Sequence, residues 1–180
     1  MTENVMTGNT AVIYEGTPGV RLQAPGITIV GSTGESLGST AAELVDQGFE
    51  RIELCGGVGA SEANAVRVAV GARARLGLVR YGFESLERIA EFTRAFAAGE
   101  VLGPQAFLYP AGEGTEEVEH PDVVMIPIDG IEHAESVGRR LAEAHAGLVE
   151  LYRGLDLEYA AAVLRGGGGM VPVGFVGYDD

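Results

Sequence analysis

The chain has 180 residues, 46% of them apolar, and a formal net charge of −14 from 26 acidic and 12 basic side chains. That apolar fraction supports a packed core, and that charge repels nucleic acid and anionic membrane, so both are discounted as partners. Every base is arginine, which excludes Schiff-base chemistry, a phosphate-loop lysine and lysine-bound pyridoxal phosphate.

The polar start, residues 1–10, reads as a frayed lead-in without a basic-then-apolar signal pattern. The single cysteine precludes an internal disulfide, and a cytoplasmic location is the default expectation. No apolar run approaches the ~20 residues of a membrane helix. Ala11–Tyr14 reads as a first strand, residues 15–25 as a loop with Val20–Leu22 extended, and Ile27–Val30 as a second strand. A helix is expected from Leu37 to Gln47, with Leu37, Ala41, Leu44 and Val45 on one face. The stretch from Arg51 to Gly59 reads as a strand that closes in the glycine turn Gly56-Gly57-Val58-Gly59. A second helix follows over about 61–74, capped by Ser61 or Ala60, with Ala65, Val66, Ala69 and Val70 inward; Leu76–Tyr81 is a buried strand. A third helix, 85–98, is capped by Ser85 and shows a broad apolar face with Leu86, Ile89, Phe92 and Phe96.

The pattern then returns. Ala106–Tyr109 repeats Ala11–Tyr14, a helix over 134–146 repeats the one over 37–47, and Leu148–Gly154 repeats Arg51–Gly57. Val173–Tyr178 repeats Leu76–Tyr81. The offset moves only from 95 (Ala11 to Ala106) to 97 (Glu53 to Glu150), which points to an internal duplication. The expected fold is therefore α/β: a tandem duplication of a β-β-α-β-α-β unit with mostly parallel sheets and a pseudo-twofold relation. The repeats span 11–84 and 105–180, joined by a linker helix over 85–104, and the first strand of each is expected at an antiparallel edge or paired across copies.

The segment Glu53-Leu54-Cys55-Gly56-Gly57-Val58-Gly59, then a helix, then Leu76-Gly77-Leu78-Val79-Arg80-Tyr81, resembles an uncharacterised family of small bacterial α/β proteins, a domain of unknown function. The resemblance covers residues 11–84 and implies a fold, not an activity. In the second copy Tyr152 stands for Cys55, Arg153 for Gly56 and Gly177 for Arg80.

Candidate chemistry gathers at the carboxyl ends of the strands, where α/β folds place ligands. Cys55 before a helix N-terminus would have a stabilised thiolate, against the plainer reading of a small buried hydrophobe. Glu53 and Glu150 hold equivalent places between apolar neighbours, either as bases or ligand anchors or as ion-pair partners of Arg80 or Arg153. The expected catalytic set is Glu53, Cys55, Arg80, Glu150 and Tyr152, with Cys55 and Tyr152 as opposed proton carriers in a special case. Substrate contacts are expected from Ser32, Thr33, Gly56, Gly57, Tyr81 and Arg153, and from Asp129 with His133, although Asp129 also reads as a helix cap. No spacing suggests a metal site, and the glycine turn does not match a dinucleotide fingerprint, so neither metal nor cofactor is expected. These residues suit a cofactor-independent isomerase, lyase or cyclase acting by acid–base chemistry on a small molecule. The alternative is a non-catalytic ligand binder or an oligomer-forming accessory protein, and a homo-oligomer fits either.

Overall fold

A computed structural model describes residues 9–100 and 102–178. Of the expected lead-in, residues 1–8 lie outside the described residues. The chain forms two compact units, one of residues 9–78 together with Tyr178, the other Val79–Gly177. Each is a mixed α/β layer with a mostly parallel sheet, as the sequence pattern predicts.

The first unit contains β1 (Thr10–Glu15), β2 (Arg21–Ala24), β3 (Ile27–Ser32), α1 (Leu37–Asp46), β4 (Arg51–Leu54), α2 (Ala60–Val70) and the start of β5 (Arg75–Tyr81). Its strands run in the order β2-β3-β1-β4-β5. β2 is antiparallel to β3, and the other pairs are parallel. β1 is therefore central, paired in parallel with β3 and β4 of its own unit, and neither of the expected alternatives, an antiparallel edge or pairing across copies, holds for it. Its consecutive apolar residues Ala11, Val12 and Ile13 are all fully buried, which only a strand covered on both faces allows.

Side chains alternate across this sheet. Ala11, Ile13, Ile52, Leu54 and Leu76 pack against Leu37, Ala41 and Leu44 of α1 and Ala63, Val66 and Val70 of α2. Ala65, expected inward, is exposed, and Ala63 takes its place. The opposite face carries Val12, Glu53 and Gly77 side by side in register. α2 is capped by Gly59, whose N–H donates to Glu62 Oε2 at 2.8 Å, not by Ser61 or Ala60.

The second unit contains the end of β5, α3 (Leu86–Ala97), β6 (Gln105–Pro110), β7 (Val118–Glu119), β8 (Val124–Ile128), α4 (Ile131–Glu143), β9 (Leu148–Leu151), α5 (Leu157–Gly167) and β10 (Val173–Tyr178) up to Gly177. Its order is β7-β8-β6-β9-β10, again with the short β7 antiparallel and the rest parallel. Leu108, Ile126, Val149 and Leu151 pack against Val137 and Leu141 of α4 and Ala160 and Val163 of α5. On the other face Phe107, Glu150 and Gly174 stand in register.

Ser85 is the N-cap residue of α3, as expected, but its side chain makes no capping hydrogen bond. Its hydroxyl is turned to β10, accepting the Val173 N–H at 3.1 Å. Nor is the broad apolar face of α3 enclosed: Phe92 packs beside Gly147, while no residue of the helix is fully buried.

Candidate active site

Each unit buries one glutamate on the face away from its helices. Glu53 is 0% exposed and Glu150 1%. A carboxylate in that setting is costly unless hydrogen-bonded, and tyrosine hydroxyls supply the bonds. Tyr178 donates its hydroxyl to Glu53 Oε1. Tyr81 donates to Glu150 Oε1 and Tyr152 to Glu150 Oε2, each at 2.5 Å. Gly174, in register with Glu150, makes room for the first of these: a Cβ there would stand 2.9 Å from Tyr81 Cε1. The Tyr152 ring meets Phe107 edge-on with centroids 5.1 Å apart. Tyr152 is thus fully buried with its hydroxyl engaged on Glu150.

The guanidinium of Arg75 lies 4.2 Å from the centroid of the Tyr178 ring. Burial, followed by the charge of Glu53 and its hydrogen bond, pushes the Tyr178 phenol far above its ordinary value of 10.0; Arg51 and Arg75 pull the other way and lose. Tyr178 therefore remains a protonated donor. Because its folded pKa is raised, its contribution to stability is complete below pH 10 and is lost as pH climbs towards the folded value. Urea midpoints measured upward from pH 10 are expected to fall, and Tyr178→Phe is expected to flatten that part of the profile.

The second feature of the first unit is the rim where β1, β3 and β4 end. Cys55 follows β4 and is 8% exposed. Its N–H reaches Ile13 O at 3.0 Å, and Val58 N–H returns to Cys55 O at 3.2 Å, which closes the glycine turn. The backbone N–H of Glu15 approaches Sγ at 3.4 Å. A Cβ on Gly57 would stand 3.7 Å from Cys55 Sγ and 3.8 Å from Glu15 Oε2, so thiol and carboxylate flank one bare glycine. Gly56 and Gly57 are exposed. Ser32, in register with Glu15, is buried with its hydroxyl 3.1 Å from Thr40 Oγ1, whereas Thr33 is exposed and bonds Ser36. The N-terminus of α2 is already served by the Glu62 carboxylate, whose Oε1 would lie 2.6 Å from a Cβ on Gly34. An incoming phosphate would have to displace it.

The structure thus brings Cys55, Gly56, Gly57, Ser32 and Thr33 to one rim, with Glu53 two residues back along β4. It gathers Tyr81, Glu150 and Tyr152 in the second unit. Arg80 is exposed, with Nε 2.8 Å from a Cβ placed on Gly177, and Arg153 holds a left-handed backbone at φ 53°. Asp129 does not cap α4, since Gly130 does; its N–H donates to His133 Nδ1 at 3.1 Å, so the imidazole meets backbone at this atom. Sequence reasoning missed Glu15. The signal was its place directly after the apolar run Ala11–Tyr14, as Cys55 directly follows β4.

Among the described residues no group of three or more His, Cys, Asp or Glu side chains could hold a metal ion, and no helix is long and apolar enough to cross a membrane.

Residues 16–94 match the family model DUF6506, a family of unknown function. The DUF6506 match takes in Glu53, Cys55, Arg80 and Tyr81 and stops within α3. A solved structure of unliganded arylmalonate decarboxylase matches over 94% of this chain and 87% of its own, at 16% identity and a TM-score of 0.33, a likeness too distant to carry an argument. Comparison with curated proteins gave no match.

Proposed function

We propose that the protein is a cofactor-independent enzyme that moves protons on a small organic molecule, in an isomerase, lyase or cyclase type of reaction. The observation that carries this reading is the pairing of the Cys55 thiol with the Glu15 carboxylate across Gly57. The Glu15 N–H is directed at Sγ, and Gly57, itself exposed, puts no side chain beside either group. Between them the two groups would take a proton from an acidic C–H and return one elsewhere on the substrate. Ser32, Thr33 and Gly56 are the flanking contacts, and Glu53 with Tyr178 holds β4 from behind.

The test is hydrogen exchange in D2O, followed by proton NMR over a panel of small carboxylic and keto acids. Cys55→Ala and Glu15→Gln are expected to slow the exchange about a hundredfold or more while circular dichroism is unchanged. Exchange that is indifferent to both substitutions would end this reading.

One observation favours the non-catalytic alternative, a ligand binder or accessory protein: both buried glutamates are held by tyrosines, as structural groups are. Under that alternative Cys55 reacts with iodoacetamide no faster than a thiol of ordinary pKa, about 8.5.

We also propose that the two units arose by tandem duplication, with copies at 11–84 and 105–180. Their strand orders correspond, and Glu53 and Glu150 take the same register position.

A further inference from the structure

The apolar surface of α3 is wider than its own unit covers. Phe92 and Ala95 face inward, with Phe92 against Gly147. Another stripe is open: Phe83 is 91% exposed and Leu86 48%, and Ala90, Thr93 and Ala97 continue it. Phe83 lies in the 3₁₀ turn Phe83–Ser85 that runs straight into the helix. The positions 83, 86, 90, 93 and 97 alternate steps of three and four, which is the spacing of a helix-pairing seam. Scattered exposed apolar residues need no explanation, but a contiguous stripe at this spacing does.

We propose that α3 is the contact through which two copies of this chain pair, antiparallel, about a twofold axis. The charges favour a second copy over another partner. The protein carries −14 overall, so two copies repel each other almost everywhere. Between Leu86 and Ala97, however, the acids Glu87 and Glu91 are balanced by Arg88 and Arg94. In an antiparallel pair that sets Ala90 against Thr93 of the second copy, Leu86 meets Ala97 of that copy. In the same register Glu87 faces Arg94 of the second copy, and symmetry repeats each contact. Ile89 then flanks Phe96, which is 49% exposed. Small residues at the centre let the backbones approach, and Leu86 closes each end of the helix pair against Ala97.

A phenylalanine presents roughly 150–250 Å². Two such stripes bury on the order of 1,000 Å² in total, at the lower end of specific interfaces, so a dissociation constant in the micromolar range is expected.

Sedimentation equilibrium of the full chain from about 1 to 200 µM tests this. A dimer is expected, tightened by added salt because screening relieves the net repulsion. Ala90→Arg places a charge at the centre of the seam and is expected to leave a monomer throughout that range. Glu87→Arg and Arg94→Glu each turn two attractions into repulsions and are expected to raise the dissociation constant about tenfold. The double variant Glu87→Arg/Arg94→Glu is expected to return to within about threefold of the parent. All these side chains are on the surface, so circular dichroism and the urea midpoint of each variant at low concentration should match the parent. A parent protein that stays monomeric at 200 µM overturns the proposal. So does a dimer that Ala90→Arg leaves intact, or a double variant no tighter than the singles.

Discussion

Glu150→Ala is expected to destabilise the second unit by about 3–5 kcal/mol, the largest single-site effect in that sheet. The substitution removes more than a carboxylate. Tyr81 and Tyr152 both donate to Glu150, each at 2.5 Å, one to each oxygen. With alanine in its place, the two hydroxyls lose that acceptor in a place where Tyr152 and residue 150 are closed to solvent. A donor that loses its acceptor where water cannot replace it costs about 1–3 kcal/mol, and the emptied volume between Phe107 and Gly174 adds to that. Glu150→Gln separates the contributions. Its amide oxygen still accepts one phenol, and its NH2 can donate to the oxygen of the other, so a loss of about 1–2 kcal/mol is expected. Urea unfolding at pH 7 reads both. A Glu150→Ala variant within 1 kcal/mol of the parent would show that the two phenols find other acceptors and that the carboxylate is not the pin of this face.

The same contact shows what the sequence could and could not disclose. The equivalence of Glu53 and Glu150 was legible because both sit in a strand-then-turn pattern at a nearly constant offset. The parallel strands were legible too, since a helix between two strands forces a crossover. The partners were not. The ion-pair reading named Arg80 or Arg153, and nothing local to either strand pointed to the tyrosine hydroxyls that hold these carboxylates. Tyr178 lies 125 residues from Glu53, and only the lateral order of strands brings it near. That order is a property of the assembled sheet. It also puts β1 at the centre of its unit, and not at an edge or paired across copies, and so brings Glu15 to the rim beside Cys55. Ser85 holds the expected N-cap position of α3 but bonds elsewhere for a related reason. A serine before a helix is a good cap by propensity, but here the buried Val173 N–H takes its hydroxyl. The local patterns named most of the elements; the inward face of α2 and its cap were misread locally, whereas the strand order and the partners of the buried acids depend on segments far apart in sequence.

Gly166→Ala is expected to cost the second unit about 3 kcal/mol, although alanine is the better helix former. In α5 a Cβ on Gly166 would stand 1.8 Å from the Glu135 carbonyl oxygen of α4, and one on Gly138 of α4 would stand 2.3 Å from Val163 O. Both obstacles are backbone, which cannot swing aside as a side chain can. Restoring ordinary contact requires the helices to part by roughly 1.5 Å, and a close-packed layer of Val137, Leu141 and Val163 would open with them. The helix-propensity gain of about 1 kcal/mol offsets only part of that loss. The first unit supplies the control. A Cβ on Gly38 of α1 would meet Ala65 O at 3.7 Å and the Ala69 Cβ at 3.8 Å, both ordinary contacts. Gly38→Ala is therefore expected to be neutral or to stabilise by up to about 1 kcal/mol. The pair of substitutions, read by urea or thermal unfolding, asks whether α4 and α5 are held backbone to backbone while α1 and α2 are spaced by side chains. If Gly166→Ala proves as harmless as Gly38→Ala, α4 and α5 are not in backbone contact in solution. Their spacing would then be set by Val137, Leu141 and Val163, as the packing of α1 on α2 is set by its own side chains.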